Sequence, residues 1–189
     1  MRNSSGESER SWNISSVKIA SLMDERFKDQ SFDTFKTTKY NGRILRMSKR
    51  YVDKFREMVE RNQGLLFYGD VGTGKSFAAA CIANALMEKR VPIVMTSFVK
   101  LLENMGGFDN DEEKLINQLN RAKLLIIDDL GAERSSDYTL EKVYNIVDSR
   151  YRARLPLLIT TNLEMQEMQS SSDIRYNAYT TAFLKFAIQ

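Results

Sequence analysis

The sequence contains no histidine and a single cysteine, Cys81. These absences exclude a disulfide within the chain and a zinc site built from Cys and His side chains. Cys81 stands among small apolar residues of a predicted helix, so we expect it to be buried in the core. No apolar run reaches the roughly 20 residues of a membrane-spanning helix, and the polar N-terminus lacks the apolar core of a signal peptide. The sequence therefore predicts a cytoplasmic protein with no membrane partner.

Proline and glycine are also scarce, at two and nine residues, which argues against a long low-complexity linker. The formal net charge of +3 is too small to indicate a partner by itself. The densest basic cluster is Lys49, Arg50, Lys54 and Arg56. Contact with single-stranded DNA and an ordinary solvated helix face both stay open for this cluster.

Short apolar segments alternate with helical patterns along the chain. Strands are predicted at 64–68, 91–96, 124–127 and 156–160, and helices at 47–61, 75–89, 98–103, 109–120 and 136–151. In the last of these helices, one apolar face is predicted to hold Leu140, Val143, Tyr144 and Val147. The alternation predicts an α/β fold, with a parallel sheet covered by helices on both faces. Residues 1–46 are predicted to be an N-terminal tail and linker, anchored to the body by Phe32 and Phe35.

The segment Gly69-Asp-Val-Gly-Thr-Gly-Lys-Ser76 matches the phosphate-loop pattern G-x-x-x-x-G-K-[ST] completely. An apolar strand precedes the loop and a helix follows it, so the helix N-terminus adds partial positive charge. We expect Lys75 to reach the β- and γ-phosphates of ATP, and the Ser76 hydroxyl to bind Mg²⁺. The residues predicted to bind the nucleotide are Gly69, Asp70, Val71, Gly72, Thr73, Gly74, Lys75, Ser76 and Phe77.

Polar side chains follow two later apolar strands. Asp128 and Asp129 follow one strand, at the sheet edge where open α/β sheets bind ligands. We expect Asp128 to hold Mg²⁺ through water, and Asp129 to orient and deprotonate the attacking water. Asn162, which follows Thr160-Thr161 on the next strand, can reach the γ-phosphate. A turn after the strand accounts for Asn162 equally well.

Three segments carry a resemblance to a known family. They are Gly64-Leu-Leu-Phe-Tyr-Gly-Asp-Val-Gly-Thr-Gly-Lys-Ser76, Leu124-Leu-Ile-Ile-Asp-Asp-Leu-Gly-Ala-Glu-Arg134 and Leu158-Ile-Thr-Thr-Asn162. The chain from Gly64 to about Tyr176 resembles the AAA+ domain of bacterial and phage replicative helicase loaders (DnaC/DnaI type) and their transposition relatives (IstB type). The resemblance implies a three-layer P-loop NTPase core with ATP and Mg²⁺ as cofactors. It also puts Asn162 at the sensor 1 position, with a catalytic role beside Lys75 and Asp129.

The function implied by this resemblance is ATPase-controlled placement of a replicative helicase on DNA. The implied partners are a replicative DNA helicase, single-stranded DNA and further copies of the same chain. Many members of the family carry a Cys-rich zinc module or a helicase-binding domain before the AAA+ core. The N-terminal region here is short and has neither Cys nor His.

The sequence after Asn177 departs from the family. Members typically continue with Arg-Ile-Tyr-Asp-Arg-Ile-x-Glu, whose second arginine is the arginine finger for a neighbouring subunit's ATP. Here residues 178–189 read Ala-Tyr-Thr-Thr-Ala-Phe-Leu-Lys-Phe-Ala-Ile-Gln. One back-translation of this tail, read after a single added base, encodes Arg-Ile-Tyr-Asp-Arg-Ile-Phe-Glu-Ile-Cys-Tyr-Pro. We therefore expect a C-terminally truncated AAA+ domain at 47–177, an aberrant, frameshifted tail at 178–189, and weak hydrolysis.

Other functions stay open. The ATP-binding subunit of a transposition system shares the same core. A non-hydrolysing, nucleotide-switched binding module is also consistent with the sequence, because residues 178–189 depart from the family's arginine-finger sequence. A small-molecule or nucleotide kinase also uses a phosphate loop, but it needs an acceptor pocket and an arginine-rich lid. The sequence shows no such lid, so the ATPase is the favoured interpretation.

Overall fold

The computed structural model describes residues 23–39, 41–105, 112–131 and 137–164. Within these ranges, one sheet contains the strands β1 (Leu65–Phe67), β2 (Ile93–Ser97), β3 (Leu124–Leu130) and β4 (Leu157–Thr161). Their order in the sheet is β1-β4-β3-β2, and all three neighbouring pairs are parallel. The predicted α/β fold with a parallel sheet is confirmed.

The helices of the described residues differ from prediction mainly before β1. They are α1 (Gly42–Asp53), α2 (Phe55–Glu60), α3 (Lys75–Glu88), α4 (Phe98–Met105), α5 (Glu112–Leu119) and α6 (Asp137–Arg152), with a 3-10 turn at Glu25–Phe27. The single helix predicted over 47–61 is wrong. The chain is already helical from Gly42, and the backbone at Lys54, with φ −104° and ψ 19°, leaves the helical region and separates α1 from α2. Tyr51 and Phe55, on either side of this break, pack edge to face with ring centroids 5.8 Å apart.

Alternating side chains of the strands build a core on each face of the sheet. On β3, Leu124 and Ile126 join the cluster that contains residues of α1, α2 and α3. Leu125 and Ile127 join the opposite cluster, with residues of α4, α5 and α6. All four side chains are fully buried, and each such burial is worth about 1.5–3 kcal/mol. The three-layer arrangement predicted for the domain is confirmed.

The residues before α1 pack against the body. Phe35 is buried, and its ring meets that of Phe77 edge to face at 5.4 Å between centroids. The side-chain amide of Asn84 on α3 donates to the carbonyls of Phe27 and Gln30, at 2.8 and 2.7 Å. The predicted anchoring by Phe35 is thus confirmed.

The predicted boundary at 46 lies inside α1, whereas the boundary at 177 and the tail at 178–189 lie outside the described residues. The division of the chain into these domains stays a prediction. Cys81 is fully buried, as expected. In the described part of the chain, no helix has the length and apolar character needed to cross a membrane.

A buried cation, Arg150 of α6, forms hydrogen bonds to the end of α5 and to the segments just before β3 and β4. Its guanidinium donates to the carbonyl oxygens of Leu119 (3.1 Å), Ala122 (2.8 Å) and Pro156 (2.7 Å). The side chain is fully buried. Burial lowers the pKa of Arg150 to about 9, so the group is still cationic at neutral pH. Arg150 therefore ties the end of α5 and the approaches to β3 and β4 to α6.

We expect Arg150→Ala to lower the free energy of unfolding by about 3–5 kcal/mol, because it removes three buried hydrogen bonds from a charged group to carbonyl oxygens. Urea unfolding at neutral pH measures this loss, and Arg150→Lys should fall between the alanine variant and the parent. Arg152→Ala is the matched control, since the exposed Arg152–Asp148 ion pair at 2.8 Å contributes about 1 kcal/mol or less. Equal losses in the Arg150→Ala and Arg152→Ala variants would contradict the role assigned to Arg150.

Candidate functional site

The predicted phosphate loop joins the end of β1 to the start of α3. Gly69, Gly72 and Gly74 have φ values of +105°, +81° and +90°, a region that residues with side chains rarely adopt. Gly74 is the N-cap residue of α3, and its carbonyl accepts a hydrogen bond from the Ala78 N–H at 2.9 Å. The first turn of α3 therefore begins inside the loop, and the positive end of the helix dipole points into it.

Lys75 lies within this loop and is 5% exposed. Its Nζ donates to the carbonyl oxygens of Gly69 and Asp70, each at 2.7 Å. Burial lowers the pKa of Lys75, and the negative charges of Asp129, Asp70, Asp128 and Glu164 oppose that shift. The ammonium thus lies in the combined field of four carboxylates.

Asp128 and Asp129 are close in sequence but differ in environment. Asp128 is buried within β3, where its Oδ1 accepts a hydrogen bond from the Thr160 hydroxyl at 2.6 Å. Asp129 is exposed, and its backbone lies in the left-handed region with φ +56°. The strand predicted to end at 127 in fact continues to Leu130, and the two acids lie within it.

Asn162 is next to these carboxylates. Its side-chain amide donates to Oδ1 of Asp129 at 2.8 Å. Because β4 lies between β1 and β3, the ends of these strands bring Asn162, the phosphate loop and both acids to one edge of the sheet. Ser76 and Phe77 follow Lys75 in the first turn of α3, and both are half-buried.

Two residues near this edge were not among the predicted site residues. Thr160 contacts both acids, and the available signal was its place in the polar run Thr160-Thr161-Asn162 at the end of β4. Glu164 lies close to the loop: a Cβ added at Gly69 would be 3.8 Å from its Oε1. No sequence pattern indicates this approach of Glu164, because it depends on the path of the chain after β4.

The donor set fits Mg²⁺ as it is bound in nucleotide sites. In the described ranges, no three Asp, Glu, Cys or His side chains gather into a metal site. Mg²⁺ in nucleotide sites typically uses one or two carboxylates and completes its shell with water and phosphate oxygens. The Asp128 carboxylate and the Ser76 hydroxyl supply hard oxygen donors of that kind.

The basic cluster predicted from the sequence is partly neutralised. Lys54 is 3.6 Å from Glu57, and Arg56 is 3.7 Å from Glu60 on α2. The ammonium of Lys49 lies 5.9 Å from the ring centroid of Phe32. These contacts favour a solvated helix face, and DNA contact at this cluster stays a prediction.

Comparison with known families gives a match over most of the chain. The model of the family described as IstB-like ATP-binding protein matches residues 17–186. This range contains the phosphate loop, both acids and Asn162.

Several curated relatives are named replicative helicase loaders. The loader DnaC of Buchnera aphidicola (subsp. Acyrthosiphon pisum) is 31% identical over 153 residues, which are 77% of this chain and 61% of the relative. DnaC of Escherichia coli K12 is 33% identical over 62% of this chain and 51% of its own length. The loader DnaI of Bacillus subtilis is 32% identical over 58% of this chain and 36% of its own length. The chain thus spans about three fifths of the length of these relatives or less.

Solved structures agree on the fold. A crystal structure of the DnaC helicase loader superposes with a TM-score of 0.73 at 24% identity, covering 88% of this chain and 100% of that one. A crystal structure of DnaI gives a TM-score of 0.72 at 23% identity, covering 88% and 93%. The AMPPCP-bound DnaA of Aquifex aeolicus gives 0.63 at 16% identity, covering 80% and 48%. The AAA+ P-loop fold that the sequence predicts is confirmed.

Proposed function

The chain belongs to the family of IstB-like ATP-binding proteins, and from that premise we propose that it binds ATP with Mg²⁺ at Gly69–Ser76 and hydrolyses it. The observation that carries the proposal is the convergence of Lys75, Asp128, Asp129 and Asn162 beside the phosphate loop. A kinase needs an acceptor pocket in addition, whereas hydrolysis needs only water at this edge.

Each side chain has a role in this proposal. Lys75 neutralises the β- and γ-phosphates, and the loop N–H groups hold their oxygens. Ser76 and Asp128 would hold Mg²⁺, which would supply positive charge beside the phosphates. Asp129 orients the attacking water and accepts its proton. Asn162, which donates to Asp129 at 2.8 Å, fixes that carboxylate and contacts the γ-phosphate or the water.

We further propose that the protein acts in the cytoplasm as a helicase loader of the DnaC/DnaI type. The support is the set of relatives named replicative helicase loaders, at 31–33% identity. The proposed partners are a replicative DNA helicase, single-stranded DNA and further copies of the chain. The ATP-binding subunit of a transposition system is the second candidate, favoured by the description of the matching family.

We propose that turnover by this chain is weak. The support is the sequence from Ala178, which differs from the arginine-finger run that the family carries. An arginine finger contributes about 10³–10⁵ in rate, so its loss affects hydrolysis far more than binding. Sequencing of the gene around codon 178 tests the frameshift, which fails if no single-base change restores the family reading.

Separate measurement of ATP binding and ATP turnover tests the proposed function. We expect Mg²⁺-dependent binding of ATP by calorimetry, with slow release of phosphate, measured with and without single-stranded DNA. The immobilised chain should also retain a purified replicative helicase when ATP is present. Absence of nucleotide binding would refute the site, and retention of a transposase in place of a helicase would refute the loader assignment. Phosphate transfer to a small acceptor would refute both.

A further inference from the structure

The pairing of β3 with β4 is interrupted beside the two acids. The strands pair regularly up to Ile127 with Ile159, then shift register, and pair again at Leu130 with Thr161. Asp129 lies within this bulge, where its φ of +56° turns the backbone away from the regular ladder. A bulge leaves backbone groups without their ladder partners, so another group has to satisfy them.

The hydroxyl of Thr160 fills the gap left by the bulge. Its Oγ1 accepts a hydrogen bond from the Asp129 N–H at 2.9 Å and donates to Asp128 Oδ1 at 2.6 Å. A threonine hydroxyl has one donor hydrogen and two acceptor lone pairs, so one group can make both bonds. Thr160 is 1% exposed, which protects both bonds from competition with water.

From this geometry we infer that Thr160 is a positioning residue. It holds in one arrangement the carboxylates of Asp128, the proposed Mg²⁺ ligand, and Asp129, the proposed general base. This inference rests on the proposed function. The bond to Oδ1 occupies one oxygen of Asp128 and sets the direction in which Oδ2 points. The bond from the Asp129 N–H holds the bulge that aims the Asp129 side chain towards the phosphate loop. One buried hydroxyl therefore holds both the Asp128 carboxylate and the backbone that carries the Asp129 carboxylate.

The adjacent threonine provides a comparison within the same strand. Thr161 is also fully buried, but its hydroxyl donates to the Leu130 carbonyl at 2.7 Å and accepts from the Leu163 N–H at 3.1 Å. The Thr161 hydroxyl thus bonds to backbone groups, whereas the Thr160 hydroxyl also donates to a carboxylate. The same substitution at the two positions separates positioning of the acids from general support of the strand.

The test compares Thr160→Val, Thr160→Ser and Thr161→Val in the full chain. Valine keeps the branched shape of threonine and removes the hydroxyl, whereas serine keeps the hydroxyl. Groups that orient metal ligands typically contribute about 10–100-fold to metal affinity or activity. We therefore expect Thr160→Val to raise the Mg²⁺ concentration for half-maximal ATP binding by about 10-fold or more. Thr160→Ser should stay within about 3-fold of the parent, and Thr161→Val should match the parent despite comparable destabilisation in urea.

A second readout needs no nucleotide. In the nucleotide-free protein, Thr160→Val should accelerate hydrogen exchange at the Asp129 amide by about 10-fold or more, because the amide loses its acceptor. Thr161→Val should accelerate exchange at the Leu163 amide instead. Equal Mg²⁺ dependence of the Thr160→Val and Thr161→Val variants, with the parent binding ATP normally, would overturn the role of Thr160 and leave the proposed function intact. A parent protein that binds no ATP would overturn both.

Discussion

Lys75→Ala is expected to weaken ATP binding by about 100-fold or more. Two hydrogen bonds from a charged ammonium to phosphate oxygens contribute about 1.5–3 kcal/mol each, and 1.4 kcal/mol corresponds to a factor of ten. The substitution also removes the positive charge of Lys75 from the neighbourhood of four carboxylates. They are the carboxylates of Asp129, Asp70, Asp128 and Glu164, whose negative charges act to raise the pKa of Lys75. An anionic nucleotide would then enter a site of uncompensated negative charge. Isothermal calorimetry with MgATP measures the change in affinity.

The folded state should tolerate the loss of Lys75. Its ammonium is buried and donates to carbonyl oxygens of a surface loop, so its removal also relieves a desolvated charge. At a nucleotide concentration 100 times the dissociation constant, binding stabilises a protein by about 2.7 kcal/mol, which is about 5–10 °C in melting temperature for a chain of this size. That shift should vanish in Lys75→Ala and persist in Lys89→Ala, an exposed lysine that caps the C-terminal end of α3. A full thermal shift in Lys75→Ala would show that the nucleotide binds elsewhere.

The main features of the fold could be predicted because the strands are short, apolar and separated by helical patterns. The backbone path around Asp129 could not be predicted. Nothing in the sequence distinguishes a strand that ends at Ile127 from one that continues through a bulge to Leu130. At the bulge, the Thr160 hydroxyl of β4 accepts a hydrogen bond from the Asp129 N–H of β3. That bond depends on the register between the two strands, which is a tertiary property.

The burial of α6 shows a second limit of sequence patterns. Tyr144, predicted on the apolar face, is 43% exposed, whereas the buried stripe contains Val143, Ile146, Val147 and Arg150. Arg150 follows Val143, Ile146 and Val147 at helical spacing and is buried with them. A search for apolar residues misses this position because arginine is charged. Its burial is possible because carbonyls of three other segments converge on it, and only the packed structure brings them together.

Asp129→Asn is expected to abolish most of the turnover while ATP binding persists. Asparagine has the same shape and tolerates the left-handed backbone at φ +56°. Its side-chain oxygen can still accept the hydrogen bond that Asn162 donates at 2.8 Å. What disappears is the basic carboxylate, and general-base catalysis contributes about 10²–10⁴ in rate. The rate of phosphate release under single-turnover conditions should fall by that factor.

The contrast with Asp128→Asn distinguishes a base from a metal ligand. Asp128 is buried, and its negative charge is proposed to attract Mg²⁺. Loss of that charge in Asp128→Asn should raise the Mg²⁺ concentration needed for ATP binding and also slow turnover. Asp129→Asn should leave the Mg²⁺ requirement within about 3-fold of the parent, because the proposed role of Asp129 is proton transfer and not metal ligation. Asp53→Asn, at the exposed end of α1, controls for the loss of one negative charge. If Asp129→Asn and Asp128→Asn changed binding and turnover in the same proportion, the two acids would share one role, and the assignment of Asp129 as the base would be wrong.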